Sequence, residues 1–129
     1  MVAAFKEIEV LDDLYTSESP SEINLKRLAS LLDLKDKDLA EAFNIDPTML
    51  SKNPYASSNP ILKQWMTIFN LIIQIISESE PDLTPSEIKV KMQRWLKLPR
   101  PEFNGKSSVD EMRKGRARRV KNLLEQLAG

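Results

Sequence analysis

The spacing of apolar residues predicts helices along almost the whole chain. Apolar side chains recur three or four positions apart, glycine is scarce, and β-branched residues do not alternate with polar ones over the length of a strand. Phe5, Ile8 and Leu11 indicate a short N-terminal helix, and residues 23–32 place five apolar side chains on one broad face of a second. The pattern therefore predicts an all-α fold.

The most apolar stretch, from Pro60 to Ser77, predicts a long central helix with little polar surface. A helix of this kind is buried in a core or at an oligomer interface. Lys63 and Gln74 interrupt the stretch, which makes it too polar and too short for a membrane span. Because a chain of 129 residues has little protein with which to cover such a helix, we expect a homodimer. The alternative is that flanking helices wrap it completely. The residues expected in the dimer interface are Trp65, Phe69, Ile72, Ile73 and Ile76.

Residues 37–52 show the spacing of a helix-turn-helix pair. Asn44 suits the left-handed backbone that ends a helix, Asp46 is a candidate N-cap, and Pro47 is a favourable first helical residue. If the second helix enters the major groove of DNA, its early polar side chains reach the bases and phosphates. The candidate DNA-binding residues are Thr48, Met49, Ser51, Lys52 and Asn53.

A structural helical hairpin without affinity for DNA is the alternative interpretation of this pair. Residues 20–57 hold six acidic and five basic side chains, so the basic surface typical of a nucleic-acid reader is missing there.

The helix that follows has a complete start signal. Thr84 can cap it, Pro85 suits its first position, and Glu87 completes a capping box. We expect it to run to about Leu96, where two prolines soon end it. Its expected inner face is Ile88, Met92, Trp95 and Leu96.

A stiff loop and two helices close the chain. Pro99 and Pro101 stiffen the loop, Phe103 can anchor it to the core, and Gly105 permits a positive φ. Ser108 and Glu111 suggest a capping box for a one-turn helix that ends at Gly115, and the last helix packs through Val120, Leu123, Leu124 and Leu127.

Composition excludes the common catalytic and metal-binding classes. The sequence contains no Cys and no His, so it lacks the nucleophile–base pairs of hydrolases and the usual zinc ligands. Only carboxylate chemistry remains, and the acidic residues lie in caps, breaks and the N-terminal segment. We therefore expect a protein that is not an enzyme and has no cofactor or metal. The lack of cysteine and of an apolar signal segment is typical of a cytoplasmic protein.

The formal net charge of zero conceals two halves of opposite sign. Residues 1–60 carry 11 acidic and six basic side chains, whereas residues 61–129 carry eight acidic and 13 basic ones. Six of the nine residues from Arg113 to Lys121 are basic. This run is either a solvated helix face, a docking surface for an acidic partner, or a contact with DNA phosphates.

Taken together, the C-terminal motifs resemble the toxin-binding domain of bacterial Xre/MbcA/ParS-type antitoxins. The matching positions, in order and spacing, are Trp95-Leu96, Pro99, Pro101, Phe103, Gly105, Lys106, Glu111, Gly115, Val120 and Leu123-Leu124. The upstream helix pair is similar to the Xre-type helix-turn-helix. The chain departs from the family at Asn104, at Ser107-Ser108 and at Arg116, where Gly, Thr-Pro and Gly are usual.

The resemblance implies an antitoxin that binds a RES-domain toxin, which consumes NAD or transfers ADP-ribose from it, and covers the toxin's active site. It also implies repression of its own operon through operator DNA, and a stand-alone helix-turn-helix repressor is the alternative. It divides the chain into a helix-turn-helix segment, 1–59, and a central helix with the toxin-binding domain, 60–129. The toxin-binding residues it implies are Trp95, Pro101, Phe103, Asn104, Gly105, Lys106, Arg116, Arg119, Val120 and Leu124.

Overall fold

The fold is all-α, and the part of the chain that the structure describes also contains two small antiparallel strand pairs. A computed structural model describes residues 10–11, 14, 23–48, 55–56 and 60–128, and the account below concerns these residues. The helices are α1 (Leu25–Leu32), α2 (Asp36–Phe43), α3 (Pro60–Ser79), α4 (Pro85–Lys97), α5 (Ser108–Arg113) and α6 (Ala117–Ala128). The strands are β1 (Ile23–Asn24), β2 (Tyr55–Ala56), β3 (Pro99–Arg100) and β4 (Lys106–Ser107), paired β1 with β2 and β3 with β4.

Helix α3 is the centre of the core, and other helices of the same chain cover it. It packs against α4 and α6, and Trp65 at its inner face is 0% exposed. The Trp65 ring meets Phe43 of α2 edge to face, with ring centroids 4.8 Å apart.

The burial of α3 corrects the expected dimer interface. Trp65, Phe69, Ile72 and Ile73 are all buried within the chain, and Ile76 is half-buried. Because α4 and α6 already remove these side chains from water, they are not available to a second copy. These side chains are therefore covered by flanking helices of the same chain, as the alternative interpretation expected.

The described parts of segments 1–59 and 60–129 share one continuous core. Apolar residues of α1 and α2 belong to the same buried cluster as those of α3 to α6. Two side-chain links reinforce this, since Gln93 donates a hydrogen bond to the Leu31 carbonyl at 3.1 Å and Lys97 lies 3.5 Å from the Asp33 carboxylate.

The turn after α2 has the geometry that the sequence predicts. Asn44 ends the helix with a left-handed backbone, φ 58° and ψ 46°. Asp46 Oδ1 accepts hydrogen bonds from the backbone N–H and the hydroxyl of Thr48, each 2.9 Å long. The backbone N–H of Thr48 is the main reason that the pKa of Asp46 is lowered. Asp33 ends α1 in the same left-handed conformation, although nothing in its sequence context predicted this.

One capping box is confirmed and the other lies one residue earlier than predicted. Thr84 Oγ1 accepts from the Glu87 N–H at 3.2 Å, and the Glu87 carboxylate accepts from the Thr84 N–H at 3.0 Å. At α5, however, the box is formed by Ser107 and Asp110. Ser108 and Glu111 are instead buried, because the helix starts one residue earlier and turns both side chains inward.

The last helix is also confirmed in part. Val120, Leu123 and Leu124 are buried, whereas Leu127 in its last turn is about half exposed. None of the helices in the described part of the chain is both long and apolar enough to cross a bilayer.

The capping box at α4 predicts a stability difference between two threonines. Thr84→Ala removes an N-cap and should lower the free energy of unfolding by about 1 kcal/mol. Thr67→Ala is the matched control, because Thr67 lies within α3 and its exposed hydroxyl only donates to the Lys63 carbonyl one turn earlier. That change should be neutral or slightly stabilising, since Ala has the higher helix propensity. Urea denaturation measures both, and equal losses would contradict the role of the cap.

Candidate partner-binding site

The loop between α4 and α5 is a short, tightly bonded hairpin. Pro99 pairs with Ser107 and Arg100 with Lys106, and a 3-10 turn, Pro101–Phe103, occupies the space between the strands. Asn104 and Gly105 have φ values of 56° and 83°, which return the chain to β4. The Gly105 N–H closes the hairpin by donating to the Arg100 carbonyl at 2.9 Å. The positive φ predicted at Gly105 is therefore confirmed.

Two aromatic rings hold the hairpin against the helices. Phe103 is buried at 3% exposure, as expected of an anchor. The Arg100 guanidinium lies over the half-buried Trp95 ring of α4, 4.9 Å from its centroid. Arg100 also forms an ion pair with Glu102 at 3.4 Å, although its Nε makes no hydrogen bond. Trp95, expected on the inner face of α4, is thus covered from outside by an arginine.

A buried carboxylate joins α5 to the first turn of α6. Glu111 is 2% exposed, and its Oε2 accepts from Arg116 Nε at 2.7 Å and from Arg119 Nη1 at 3.1 Å. Arg116 Nη2 adds a second contact to Glu111 Oε1 at 3.4 Å. The hydrogen bond from Arg116 to this carboxylate is the main reason that the pKa of Arg116 is raised. Each guanidinium remains nearly half exposed, so Glu111 holds both in place without burying them.

Arg119 extends this cluster to the hairpin. Its Nη2 donates to the Glu102 carbonyl at 3.3 Å, and its guanidinium lies over the Phe103 ring at 5.6 Å. The pKa of Glu102 is lowered, first by a hydrogen bond from its own backbone N–H and further by Arg100. One arginine thus links α6, the Glu111 carboxylate and the loop. Electrostatic attraction, hydrogen bonding and ring contact all act on this side chain.

The sequence predicts Glu111 as part of a cap, whereas in the structure it is the buried centre of this cluster. The sequence contains one hint of this, because Gly115, a residue suited to a turn, lies between Glu111 and the two arginines. The Arg116 N–H donates to the Glu111 carbonyl at 2.8 Å across that turn. Side-chain proximity across such a turn depends on the backbone path, which spacing alone does not specify.

The implied toxin-binding residues separate into a surface group and a core group. Pro101, Asn104, Gly105, Lys106, Arg116 and Arg119 are exposed, and Trp95 is half-buried. Phe103, Val120 and Leu124 are buried in the chain's own core. The expectation that these three side chains touch a partner directly is therefore wrong, because they are packed inside the chain under the loop and α6. They can support the surface only from below.

Of the candidate DNA-binding residues, Thr48 alone lies in the described part of the chain. It is exposed, with its N–H and hydroxyl both directed to Asp46. Met49, Ser51, Lys52 and Asn53 fall outside the described residues.

A cavity of about 490 Å³ lies away from the loop, lined by Val10, Leu11 and Leu14 together with residues of α1 and α4. Within the described ranges, no cluster of acidic side chains is arranged to hold a metal ion. Comparison of the chain with protein-family models, curated proteins and solved structures finds no match.

The buried position of Glu111 predicts a stability difference between two glutamates. Glu111→Gln keeps the shape but removes the charge that two guanidiniums share, and it should lower the free energy of unfolding by about 1–2 kcal/mol. The arginines remain in contact with water, which limits the loss. Glu125→Gln is the control, since Glu125 pairs with Lys121 at 3.7 Å on the exposed side of α6. It should change stability by less than about 0.5 kcal/mol.

Urea denaturation near neutral pH measures both glutamate variants. A Glu111→Gln protein as stable as its control would show that the buried carboxylate does not hold α5, α6 and the hairpin together.

Proposed function

We propose that this protein is an antitoxin that binds a RES-domain toxin and neutralises it by covering the toxin's active site. The observation that carries the proposal is the Glu111–Arg119–Glu102 connection. It holds the exposed loop and the first turn of α6 in one fixed arrangement. With the C-terminal motifs that resemble the antitoxin family, this arrangement supports a function in binding rather than in catalysis.

The chemistry of the surface suits protein recognition. Trp and Arg are enriched at the centres of protein interfaces, and here Trp95, Arg100, Arg116 and Arg119 lie around one loop. Side chains that are already ordered lose less conformational entropy when a partner binds. Because the intrachain contacts of the arginines already hold the loop in place, binding of a partner does not have to order it first.

The buried residues of the antitoxin-like pattern support this surface from below. Phe103 fastens the loop, while Val120 and Leu124 fasten α6 to α3. The loop apex, Asn104 to Lys106, is exposed above these anchors, so we propose that the toxin contacts it there. This assignment explains why a pattern that resembles a binding site contains side chains that cannot reach a partner.

Co-expression tests the proposal directly. The chain, carrying an affinity tag, is produced together with the RES-domain protein of the adjacent reading frame. We expect restored growth and a complex that survives purification. A neighbouring gene of another class, or a RES-domain protein that stays toxic and unbound, would refute the proposal.

Two glycines with the same backbone conformation allow a sharper test of the loop apex. Gly105 has φ 83° and Gly115 has φ 82°, and a Cβ at either position meets no atom within 4 Å. Tyrosine at either position therefore costs similar backbone strain, about 1–2 kcal/mol, without an internal clash. Gly105→Tyr should abolish neutralisation because it places a bulky ring at the apex, whereas Gly115→Tyr should retain it.

Growth rescue and pull-down measure the two glycine variants, and thermal unfolding confirms that they are equally folded. Neutralisation that survives Gly105→Tyr would place the apex outside the interface.

A further inference from the structure

Three large apolar side chains in the described part of the chain remain about half exposed: Val90, Leu98 and Leu127. Val90 belongs to α4 and Leu98 is the C-cap of the same helix, whereas Leu127 lies in the last turn of α6. A single exposed apolar side chain is common on protein surfaces, but several on one surface mark a contact site for another molecule. The pair on α4 is therefore the one to explain.

Val90, Arg94 and Leu98 follow one another at intervals of four residues, so they form a ridge along the outside of α4. Leu98 still lies on the helical path, because its N–H donates to the Arg94 carbonyl at 3.2 Å. All three side chains are exposed, over a length of about 12 Å along the helix axis. We call these three residues the α4 ridge.

The stability of the fold does not account for the α4 ridge. Valine has a lower helix propensity than most polar residues, so an exposed Val90 does not favour the helix. Of the four basic side chains on α4, Arg94 alone has no partner within the described chain. Its place in the last turn suits the helix dipole, which explains the charge of Arg94 but not the two apolar side chains beside it.

The α4 ridge is continuous with the loop that we propose as the toxin contact. Lys106 of the loop apex lies opposite Arg100 in the strand register, and the Arg100 guanidinium covers the Trp95 ring at 4.9 Å. Trp95 in turn follows Arg94 directly and lies three residues before Leu98, which makes it a neighbour of both on the helix surface. These contacts lead step by step from the apex to the ridge.

The loop apex is too small to hold a partner by itself. Asn104 to Lys106 are three residues, whereas a stable protein–protein interface buries about 800 Å² on each partner and involves about 20–30 residues a side. A toxin bound at the apex must therefore touch an adjoining surface as well. The first turn of α6 offers mainly arginines, and charged residues are depleted at interface centres, whereas the α4 ridge offers apolar side chains.

Resting on the proposed function, we propose that the α4 ridge is part of the toxin-binding surface. Val90 and Leu98 bind an apolar face of the toxin, and Arg94 between them binds a carboxylate on that face. A guanidinium recognises a carboxylate through two parallel hydrogen bonds, and it tolerates removal from water better than an ammonium group. None of these three residues belongs to the toxin-binding set that the family resemblance implies.

A second copy of this chain fits the α4 ridge less well than a toxin does. Interfaces between two copies are usually twofold symmetric, so the same surface serves on both sides. Pairing two ridges about their centres would place Arg94 against Arg94 of the other copy, and like charges in contact are unfavourable.

Two leucines of nearly equal exposure give a matched test. The full chain carrying Leu98→Gln or Leu127→Gln is titrated by isothermal calorimetry against the purified RES-domain protein of the adjacent reading frame. Leu98 is 48% exposed and Leu127 is 52% exposed, so both changes remove a similar apolar surface. Leu98→Gln should raise Kd about tenfold, whereas Leu127→Gln should leave it within about twofold of the wild type.

Val90→Gln separates binding from folding, and it decides the question if Leu98→Gln does not fold. Because glutamine has the higher helix propensity, this variant should be at least as stable as the wild type in thermal unfolding. It should nevertheless raise Kd about fivefold.

The charge of the α4 ridge has its own control. Arg94→Gln should raise Kd and make the association rate constant less sensitive to salt. Lys37→Gln makes the same change in charge at an exposed position of α2 and should do neither.

Equal Kd values for Leu98→Gln and Leu127→Gln, with a wild type that binds, would overturn the ridge and leave the antitoxin proposal standing. A wild type that neither binds nor restores growth would overturn both. Size-exclusion chromatography with light scattering should give the chain alone the same mass with and without Leu98→Gln. A wild-type dimer that this change dissociates would assign the ridge to a second copy and overturn the proposal.

Discussion

The need to cover one very apolar helix organises the structure. Helix α3 presents large side chains around much of its circumference, and burying them is the main favourable term in folding. The chain meets this need by packing α4 and α6 against α3 and by bringing the Phe43 ring of α2 onto Trp65. As a consequence, segments that are far apart in sequence share one core, and the positions of the hairpin and of α5 follow from that packing.

The Glu111 cluster applies a second constraint at the periphery of this core. A carboxylate removed from water is tolerated only when its charge and lone pairs are satisfied, and here two guanidiniums satisfy them. Because those guanidiniums belong to α6 and one of them also contacts the loop, satisfying one buried group orders three elements. The cluster therefore holds the hairpin and the first turn of α6 in a fixed arrangement.

Ion pairs follow from the same packing. Lys97 at the end of α4 lies 3.5 Å from the carboxylate of Asp33, which ends α1, and Lys91 of α4 pairs with Glu80 just after α3. The first half of the chain is acidic and the second half is basic, so the pair between Lys97 and Asp33 joins two parts of opposite charge.

The sequence by itself determined most of the described helices and several of their ends and special backbone positions. The capping box at Thr84, the left-handed Asn44 and the positive φ of Gly105 depend on neighbouring residues and follow from local rules. Tertiary structure decided which apolar residues were already covered, and it made Glu111 a buried ion-pair centre rather than a cap. These depend on contacts between distant segments, because burial and electrostatic pairing are properties of the packed chain, whereas periodicity records only which face of a helix is apolar.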